Sequence, residues 1–334
     1  MVHVNEDLST IGTTLARTEE RMRGGRHAAD RLWPTGFGGL DPLIGGGLRA
    51  GSLVLVAGAQ GLGKTTFAVQ VCRNVARAGR PVLYFSYEHD AEDLVLKLMA
   101  LEAGEHSDSL QVRLTAMREA FDASEAGTME ERLAGVPGAL PALATVRGYA
   151  EWLFVHRSTG SRTDLGAIRE RIEEVHAATG TMPLVVVDYL QKVLVPGAPT
   201  DEHERSTTVV EGLKDLAIDI SAPVLAVVAA DKQALRSGTR MRTHHLRGSS
   251  ALAYEADVIL VLSSKFDVVA RHHLTYDLGN AERFREWAVL SVEKNRFGRD
   301  GVDLEYRKRF EQGRFEPDGR EVKEQLIDDR VFVE

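Results

Sequence analysis

The sequence predicts an α/β fold in which a mostly parallel, twisted sheet is flanked by helices. Two observations support this fold class. Short, largely apolar runs recur along the chain, as in strands that are buried on both faces of a sheet. They alternate with longer segments whose apolar residues have helical spacing, and this alternation is typical of parallel strands joined by crossover helices.

Seven of these apolar runs are predicted to be strands. They cover residues 52–57, 82–86, 152–155, 184–187, 223–229, 258–262 and 287–292, and residues 302–315 are predicted to form a hairpin or edge strands. Helices are predicted over residues 10–30, 64–78, 91–105, 164–179 and 207–220. Residues 106–148 show no clear pattern, and residues 230–249 have the composition of a polar, arginine-rich loop.

One main domain is expected after a short charged segment. The chain has 334 residues, of which 43% are hydrophobic, enough to bury a sizeable core. The sequence Trp33-Pro34-Thr35-Gly36 interrupts the charged helix that precedes it. We therefore predict a charged N-terminal segment or linker helix over residues 1–33 and a single domain over residues 34–334.

Composition excludes several classes of protein. The formal net charge of −8 argues against a basic coat for nucleic acid, although a local basic loop could still bind it. No stretch approaches the roughly 20 apolar residues of a membrane span, and the N-terminus lacks the pattern of a secretory signal. Cys72 is the single cysteine, so an internal disulfide is ruled out. A cytoplasmic protein is expected.

A glycine-rich motif of the form G-x-x-x-x-G-K-[ST] begins at Gly58, between a predicted buried strand and an amphipathic helix. Such a loop lets backbone N–H groups converge on a nucleotide phosphate at a helix N-terminus. Lys64 would reach the β- and γ-phosphates of ATP, and the Thr65 hydroxyl would bind Mg²⁺. The predicted nucleotide-binding residues are Gly58, Gln60, Gly61, Leu62, Gly63, Lys64, Thr65 and Thr66.

Two carboxylates follow other predicted strands. Asp188 ends the apolar run at residues 184–187, where an acid can hold a magnesium ion, although an ordinary strand can also end in Asp. Glu88 follows the strand at residues 82–86, from which a carboxylate can reach a γ-phosphate and act as a general base for water. His89 and Asp90 are neighbouring alternatives, and a surface role for Glu88 is the simpler interpretation when that residue is considered alone.

Six segments in chain order resemble one known family. They are residues 35–41 (TGFGGLD), the phosphate loop with residues 65–68 (TTFA), 84–88 (YFSYE), 187–191 (VDYLQ), 246–249 with 255–257 (LRGS and EAD), and 294–298 (KNRFG). Together they resemble the RecA-like ATPase domain of DnaB-type replicative helicases, a P-loop NTPase fold. The segment VDYLQ is the most specific match.

The resemblance implies a hexameric ring of identical subunits, with ATP and Mg²⁺ between subunits and single-stranded DNA in the channel. It assigns the catalytic glutamate to Glu88 and a trans-acting pair of cations to Lys294 and Arg296. Such cations would enter the neighbour's site and stabilise charge on its γ-phosphate. Without the family resemblance, the simpler interpretation is that this pair belongs to a basic hairpin on a solvent-exposed face.

Three departures from the family are visible. Its N-terminal collar domain is expected to be missing, so that the helix around residues 15–23 would be a linker that docks on an adjacent subunit. Ala229 and Ala230 stand where the family has a polar Ser-Gln sensor pair, which puts coupling between phosphate and DNA in doubt. The stretch at residues 264–285 is longer than expected.

The arginine-rich loop is the candidate for nucleic-acid contact, because loops that follow a phosphate backbone need such charges. The loop has no Phe, Tyr or Trp residue that could stack on a base, and Tyr254 is the first one after it. A flexible, solvated loop has the same composition. His244, His245, His272 and His273 lack the spacing of a metal site. The candidate residues are Lys232, Arg236, Arg240, Arg242 and Arg247.

The sequence therefore predicts a DnaB-like, ATP-hydrolysing oligomeric motor that acts on single-stranded DNA. A regulatory or scaffold ATPase without unwinding activity, similar to KaiC or to recombination mediators, is the alternative. A third hypothesis is an assembly module that only binds ATP, and the presence of Glu88 argues against it.

Overall fold

A ten-stranded sheet forms the centre of the molecule. The computed structural model describes residues 9–25, 31–106, 113–124, 126–197, 201–230, 240–246, 249–275 and 278–328. The strands are β1 (Leu32–Trp33), β2 (Leu48–Arg49), β3 (Leu53–Gly58), β4 (Val82–Ser86), β5 (Leu153–Arg157), β6 (Leu184–Asp188), β7 (Val224–Ala229), β8 (Val258–Ser264), β9 (Trp287–Asn295), β10 (Val302–Arg309), β11 (Arg314–Phe315) and β12 (Arg320–Glu321). Strands β1 and β2 pair with each other in a separate two-stranded sheet, and the other ten form the central sheet.

The described residues also contain thirteen α-helices. They are α1 (Ile11–Arg23), α2 (Leu40–Leu43), α3 (Lys64–Arg77), α4 (Ala91–His106), α5 (Leu114–Phe121), α6 (Met129–Leu133), α7 (Ala139–Tyr149), α8 (Leu165–Thr179), α9 (Glu202–Asp219), α10 (Ser249–Glu255), α11 (Lys265–Val268), α12 (His272–Thr275) and α13 (Leu278–Arg285). A short 3-10 helix, Phe310–Gln312, joins β10 to β11.

The strand order is β11-β10-β9-β8-β3-β7-β6-β4-β5, and β12 pairs with β10 outside this path. The six strands from β8 to β5 run parallel, whereas β9, β10 and β11 are antiparallel additions at one side. Every residue of β3, β4 and β6 is buried, because helices cover both faces of a parallel sheet. The predicted α/β fold with a mostly parallel sheet is confirmed.

Parallel pairing brings the ends of four strands to one edge of the sheet. Gly58 of β3 lies beside Ala229 of β7, and Ser86 of β4 lies beside Asp188 of β6. We call this edge the carboxyl edge and the opposite one the amino edge. Residues that follow β3, β4, β6 and β7 therefore meet at the carboxyl edge, although they are far apart in sequence.

Three regions add to or differ from the sequence-based expectation. The patternless stretch at residues 106–148 contains α5, α6 and α7, whose short lengths and interspersed glycines and charges hide the helical period. The long stretch at residues 264–285 contains α11, α12 and α13. Helix α9 begins at Glu202, five residues before the predicted start at residue 207, because the Asp201 side chain caps it.

The described part of the N-terminal region contains an exposed helix and a short strand that is buried at Trp33. None of the residues of α1 is buried. By contrast, Trp33 pairs with Leu48 and is buried beneath the guanidinium of Arg80, which lies 3.7 Å from the centre of the indole ring. Trp33 is thus packed with the main body, while the division of the chain at residue 33 stays a prediction.

Candidate active site

The phosphate loop lies between β3 and α3 at the carboxyl edge. Close packing explains two of its glycines. A Cβ atom at Gly58 would lie 2.8 Å from the carbonyl oxygen of Leu262, and one at Gly63, whose φ is +90°, would lie 2.7 Å from the Phe310 ring. Only glycine fits at these two positions without displacing a neighbouring strand or ring.

Lys64 begins α3 and folds back over the loop. Its Nζ donates hydrogen bonds to the carbonyl oxygens of Gly58, at 2.8 Å, and Ala59, at 3.0 Å. Burial lowers the pKa of Lys64 below its ordinary value, while the negative charges of Asp188 and Glu88 oppose that shift. The ammonium group is thus held in a partly desolvated position beside two carboxylates.

Asp188 at the end of β6 receives two hydrogen bonds on one oxygen. The Thr65 hydroxyl donates to Asp188 Oδ2 at 2.8 Å, and the Tyr84 phenol donates to the same atom at 2.6 Å. Burial, followed by the nearby charge of Asp188, raises the pKa of Tyr84, so the phenol keeps its proton and remains a donor. The predicted metal-binding residues Thr65 and Asp188 are therefore in direct contact.

Glu88 lies in the turn after β4 and lines the same cleft as Lys64 and Asp188. The turn is held by Ser86, whose hydroxyl donates to the carbonyl oxygen of His89 at 2.5 Å and accepts from its N–H at 3.1 Å. His89 faces Asp93 on α4, at 3.9 Å, and Asp90 accepts a hydrogen bond from the Asp93 backbone. The two alternatives to Glu88 thus serve the start of α4, and neither lines the cleft.

The cleft has a volume of about 540 Å³, a size that suits a small-molecule ligand. All the predicted loop residues line it except Leu62, whose side chain packs partly buried against the core. Several other lining residues were not identified as site residues from the sequence. They include Lys97 on α4, Leu114 on α5 and Phe310 in the 3-10 helix.

Lys97 is the most informative of these unpredicted residues. Burial lowers its pKa, and the charges of Asp93 and Asp188 oppose the shift. The sequence contained a signal for this residue, because Lys97 is the single charged residue in the otherwise apolar run from Leu94 to Leu101. A cation that is retained in a buried helix face requires an anion nearby.

The end of β7 also borders the cleft through Val227, Ala229 and Ala230. The Gln191 side chain, which follows β6, accepts a hydrogen bond from the Ala229 N–H at 3.1 Å through its Oε1 atom. A side-chain amide therefore lies beside Ala229 at the end of β7, although it belongs to Gln191, which follows the neighbouring strand β6.

Lys294 and Arg296 lie at the amino edge, away from this cleft. Lys294 is in register with Ile259 of β8, and Ile259 is in register with Leu55 of β3. Gly58 lies three residues further along β3, about 10 Å towards the carboxyl edge at roughly 3.3 Å per residue. The structure thus does not bring these cations to the phosphate loop of their own chain.

Both cations contact the C-terminal end of α10. Lys294 Nζ donates to the carbonyl oxygens of Ala253, at 2.6 Å, and Tyr254, at 3.1 Å, and Arg296 donates to that of Tyr254 at 2.7 Å. Burial and the neighbouring charge of Arg296 lower the pKa of Lys294. The last carbonyls of a helix lack intrahelical donors, so they attract cations.

Two of the five residues predicted to contact nucleic acid are described, and both are engaged within the chain. Arg240 is 4% exposed and bonds to Asp303 and Ser291. Arg242 donates to Glu293 at 2.8 Å and to Asp328 at 2.6 Å, and these carboxylates raise its pKa although burial opposes the rise. Lys232, Arg236 and Arg247 lie outside the described residues.

Two further features are not found among the described residues. No group of three or more His, Cys, Asp or Glu side chains in these residues has the arrangement of a metal site. Among the described helices, none combines the length and apolar character that a membrane crossing requires.

Comparison with known proteins gives consistent results. The sequence model of the DnaB-like helicase C-terminal domain matches residues 33–316. The replicative DNA helicase DnaB of Pasteurella multocida is 29% identical over 231 residues, which are 68% of this chain and 45% of that protein. The helicase of the same name from Haemophilus influenzae is 29% identical over 258 residues, 76% of this chain and 51% of that protein. The chain thus spans about half the length of these relatives.

Solved structures show the same fold. One solved ATPase domain superposes with a TM-score of 0.71 at 20% sequence identity, and the match covers 92% of this chain and 98% of that one. A DnaB-like replicative helicase, solved in a study of its interactions with primase, has the same TM-score at 18% identity over 92% of this chain and 68% of that one. Because the family match spans most of the sequence, this chain belongs to the family of DnaB-like helicase C-terminal domains.

Proposed function

We propose that this chain is an ATP-hydrolysing, ring-forming motor that acts on single-stranded DNA. One observation carries the proposal: a cleft lined by the loop from Gly58 to Thr66, which we call the phosphate cleft, lies at the carboxyl edge of the sheet, and a Lys-x-Arg pair lies at the amino edge. A cation pair that cannot reach its own cleft can complete the cleft of a second copy. Family membership supports nucleotide use and favours a motor over a regulatory ATPase.

The cleft residues divide the work of holding ATP. The loop from Gly58 to Gly63 would direct backbone N–H groups at the phosphates, and Lys64 would exchange its two carbonyl partners for phosphate oxygens. Lys97 supplies a second cation on the cleft wall. Phe310, beside Gly63 at the cleft wall, offers an aromatic face for the base.

The contact between Thr65 and Asp188 fits a magnesium ion. A hydroxyl and a carboxylate are the oxygen ligands that Mg²⁺ binds beside nucleotide phosphates. Thr65 would bind the ion directly and Asp188 would hold its water shell, with the Tyr84 hydrogen bond fixing the orientation of the carboxylate. When bound, Mg²⁺ would neutralise the charge that develops on the phosphates.

Glu88 is the proposed general base. Its carboxylate lies on the cleft wall, and the hydrogen bonds between Ser86 and His89 fix the turn that carries it. It would accept a proton from a water molecule as that water attacks the γ-phosphorus, while the bond from that phosphorus to the bridging oxygen of the β-phosphate breaks and ADP leaves. Lys64 would stabilise the charge that develops on the transferred phosphoryl group.

The remaining charge would come from a neighbouring subunit. We propose that Lys294 and Arg296 enter the next subunit's cleft, in a homo-oligomer that is expected to be a hexameric ring. Helix α1 supports such an assembly, because Ile11, Leu15 and Met22 are 76%, 65% and 59% exposed. An apolar stripe of this kind on a linker helix can dock on the adjacent subunit.

Contact with DNA is proposed for Lys232, Arg236 and Arg247. Arg240 and Arg242 are removed from this proposal, because their guanidinium groups already bond to carboxylates of the same chain. The loop follows β7, whose end borders the phosphate cleft, so that phosphate and DNA contacts would be joined by one segment.

ATP hydrolysis measured with and without single-stranded DNA tests this function. We expect stimulation at low salt that weakens at moderate salt, because phosphate contacts release counterions. Changing Lys232 and Arg236 to Ala should abolish the stimulation while leaving DNA-independent hydrolysis unchanged. Changing Arg169 and Arg171 of α8 to Ala removes the same charge elsewhere and should leave stimulation intact. Hydrolysis that ignores DNA would instead support the regulatory or scaffold ATPase.

A further inference from the structure

Asp257 occupies the junction between α10 and β8 at the amino edge, and it is 4% exposed. A buried carboxylate needs several donors to compensate for the loss of water. Asp257 has them on both sides, from β3 and from the end of β9. None of the interactions of the phosphate cleft described above includes this residue.

Towards β3, Asp257 makes two bonds to a single residue. The Asp257 N–H donates to the carbonyl oxygen of Leu53 at 2.9 Å, and the Leu53 N–H donates to Asp257 Oδ2 at 2.8 Å. Leu53 is the first residue of the strand that ends in the phosphate loop. Asp257 therefore fixes the start of β3.

Towards β9, Asp257 again bonds twice to one residue. The Arg296 N–H donates to the carbonyl oxygen of Asp257 at 2.9 Å, and the Arg296 guanidinium donates to Asp257 Oδ1 at 3.2 Å. A second arm of that guanidinium reaches the Tyr254 carbonyl oxygen at 2.7 Å. The Arg296 side chain remains 49% exposed, so N–H groups are left for an external anion.

A third group contacts the same carboxylate without contacting Arg296. Lys214 of α9 donates to Asp257 Oδ2 at 2.7 Å and to the carbonyl oxygen of Gly51 at 3.0 Å. Its ammonium group shares Oδ2 with Leu53, whereas Arg296 uses the other oxygen. Lys214 thus offers a matched position at which the surroundings of Asp257 change but the contact with Arg296 does not.

We propose that Asp257 is a positioning residue for Arg296. It orients the Arg296 guanidinium for the cleft of the neighbouring subunit, and it links Arg296 to β3, the strand that leads into the phosphate loop of its own chain. The inference rests on the proposed function, in which Arg296 acts on a second copy. A fork-shaped guanidinium that is held at two points loses little freedom when it meets a phosphate. The same carboxylate also bonds to Leu53 of β3. A shift of β3 at the cleft of one subunit would therefore move the Arg296 that this subunit presents to the cleft of its neighbour.

A double-mutant cycle on the full chain tests the proposal. Asp257→Asn keeps the shape of the side chain but cannot accept from both Leu53 and Arg296, because one of its two ends is now a donor. We expect kcat for ATP to fall about tenfold through misplacement of the cation, with the affinity for a fluorescent ATP analogue unchanged. In an Arg296→Ala background, measured with radiolabelled ATP, the same change should lower kcat less than about twofold.

The other outcomes separate the hypotheses. An equal fall in both backgrounds, or a loss of nucleotide affinity, would show that Asp257 only supports the fold of β3 and would overturn the proposal. Lys214→Met should leave kcat within about twofold, and a fall as large as that of Asp257→Asn would also overturn it. Wild-type kcat in Arg296→Ala would instead reject the trans role in the proposed function. If Asp257→Asn does not fold, Asp257→Glu, which displaces the carboxylate by one methylene, enters the same cycle.

Discussion

The carboxyl edge and the amino edge of the sheet both present cations suited to phosphate, but their surroundings differ. At the carboxyl edge, Lys64 lines a cleft together with Thr65 and Asp188, and the Asp188 carboxylate already accepts hydrogen bonds from Thr65 and from the buried Tyr84. At the amino edge, Lys294 and Arg296 rest on the carbonyl oxygens of Ala253 and Tyr254, and neither cation lines that cleft.

This difference indicates which part of the chemistry one chain can assemble alone. Parallel strands bring Gly58, Ser86 and Asp188 together as a direct result of folding. The end of β9 lies at the other edge, because β9 is antiparallel to its neighbour β8. Under the proposed function, the amino edge would contribute to phosphate chemistry when a second copy supplies the cleft.

The largest effect is expected from variants that test whether the two edges act in different subunits. Glu88→Gln and Arg296→Ala should each lose ATP turnover by about a hundredfold or more, while both keep ATP binding. When the two inactive variants are mixed during assembly, Arg296→Ala subunits supply intact clefts and Glu88→Gln subunits supply intact cations. Up to about a quarter of the interfaces should then be complete, so that turnover reappears.

A mixing control makes that result interpretable. Glu88→Gln mixed with Lys64→Ala should stay inactive, because both changes damage the carboxyl edge and no interface regains a complete cleft. Turnover that fails to reappear in the first mixture, although the variants assemble together by sedimentation, would argue that both edges act within one chain.

An intermediate effect is expected at Lys97 and would show which nucleotide phosphate this residue contacts at the carboxyl edge. Lys97→Met keeps the length of the stem but removes a cation from the cleft wall. We expect ATP affinity to fall about tenfold and ADP affinity to fall less, since ATP carries the additional phosphate. Titration with fluorescent analogues measures both constants, and Lys192→Met, at a site that does not line the cleft, is the control. Equal losses for the two nucleotides would contradict contact with the γ-phosphate.

The smallest effect is expected at Tyr84. Tyr84→Phe removes one hydrogen bond to the buried Asp188 carboxylate and should lower the free energy of unfolding by about 1–3 kcal/mol. Turnover should decrease only a few fold, because Thr65 continues to orient the same oxygen. Chemical denaturation and the magnesium dependence of turnover measure the two effects. An unchanged magnesium dependence would indicate that Tyr84 supports the fold and has no role in holding the metal.

Much of the fold and of the cleft is encoded by local patterns. The apolar runs predicted each strand of the parallel sheet within about two residues, and the glycine-lysine motif identified the loop that lines the cleft. These features depend on the order of neighbouring residues, which a sequence displays directly. The assignment of catalytic roles to Glu88, Lys294 and Arg296 stays a prediction.

What could not be read from the sequence depends on contacts between distant segments. Phe310 reaches the cleft only because the hairpin of β9 and β10 returns over Gly63. Arg240 and Arg242 belong to a segment with the composition of a DNA-binding loop, yet Asp303, Glu293 and Asp328 neutralise them from up to 86 residues away. A count of charges in one segment cannot reveal such partners.

The placement of cleft and cations on opposite edges also constrains the ring that the proposed function requires. An interface in which the cation pair of one copy meets the cleft of the next joins two different surfaces of the chain. If copies joined in this way in a row, one end would keep an incomplete cleft and the other an unused cation pair. Closure of the row into a ring would complete every cleft, and all clefts of that ring would face the same way around it. The proposed ring would therefore have a built-in order of its subunits before it meets any substrate.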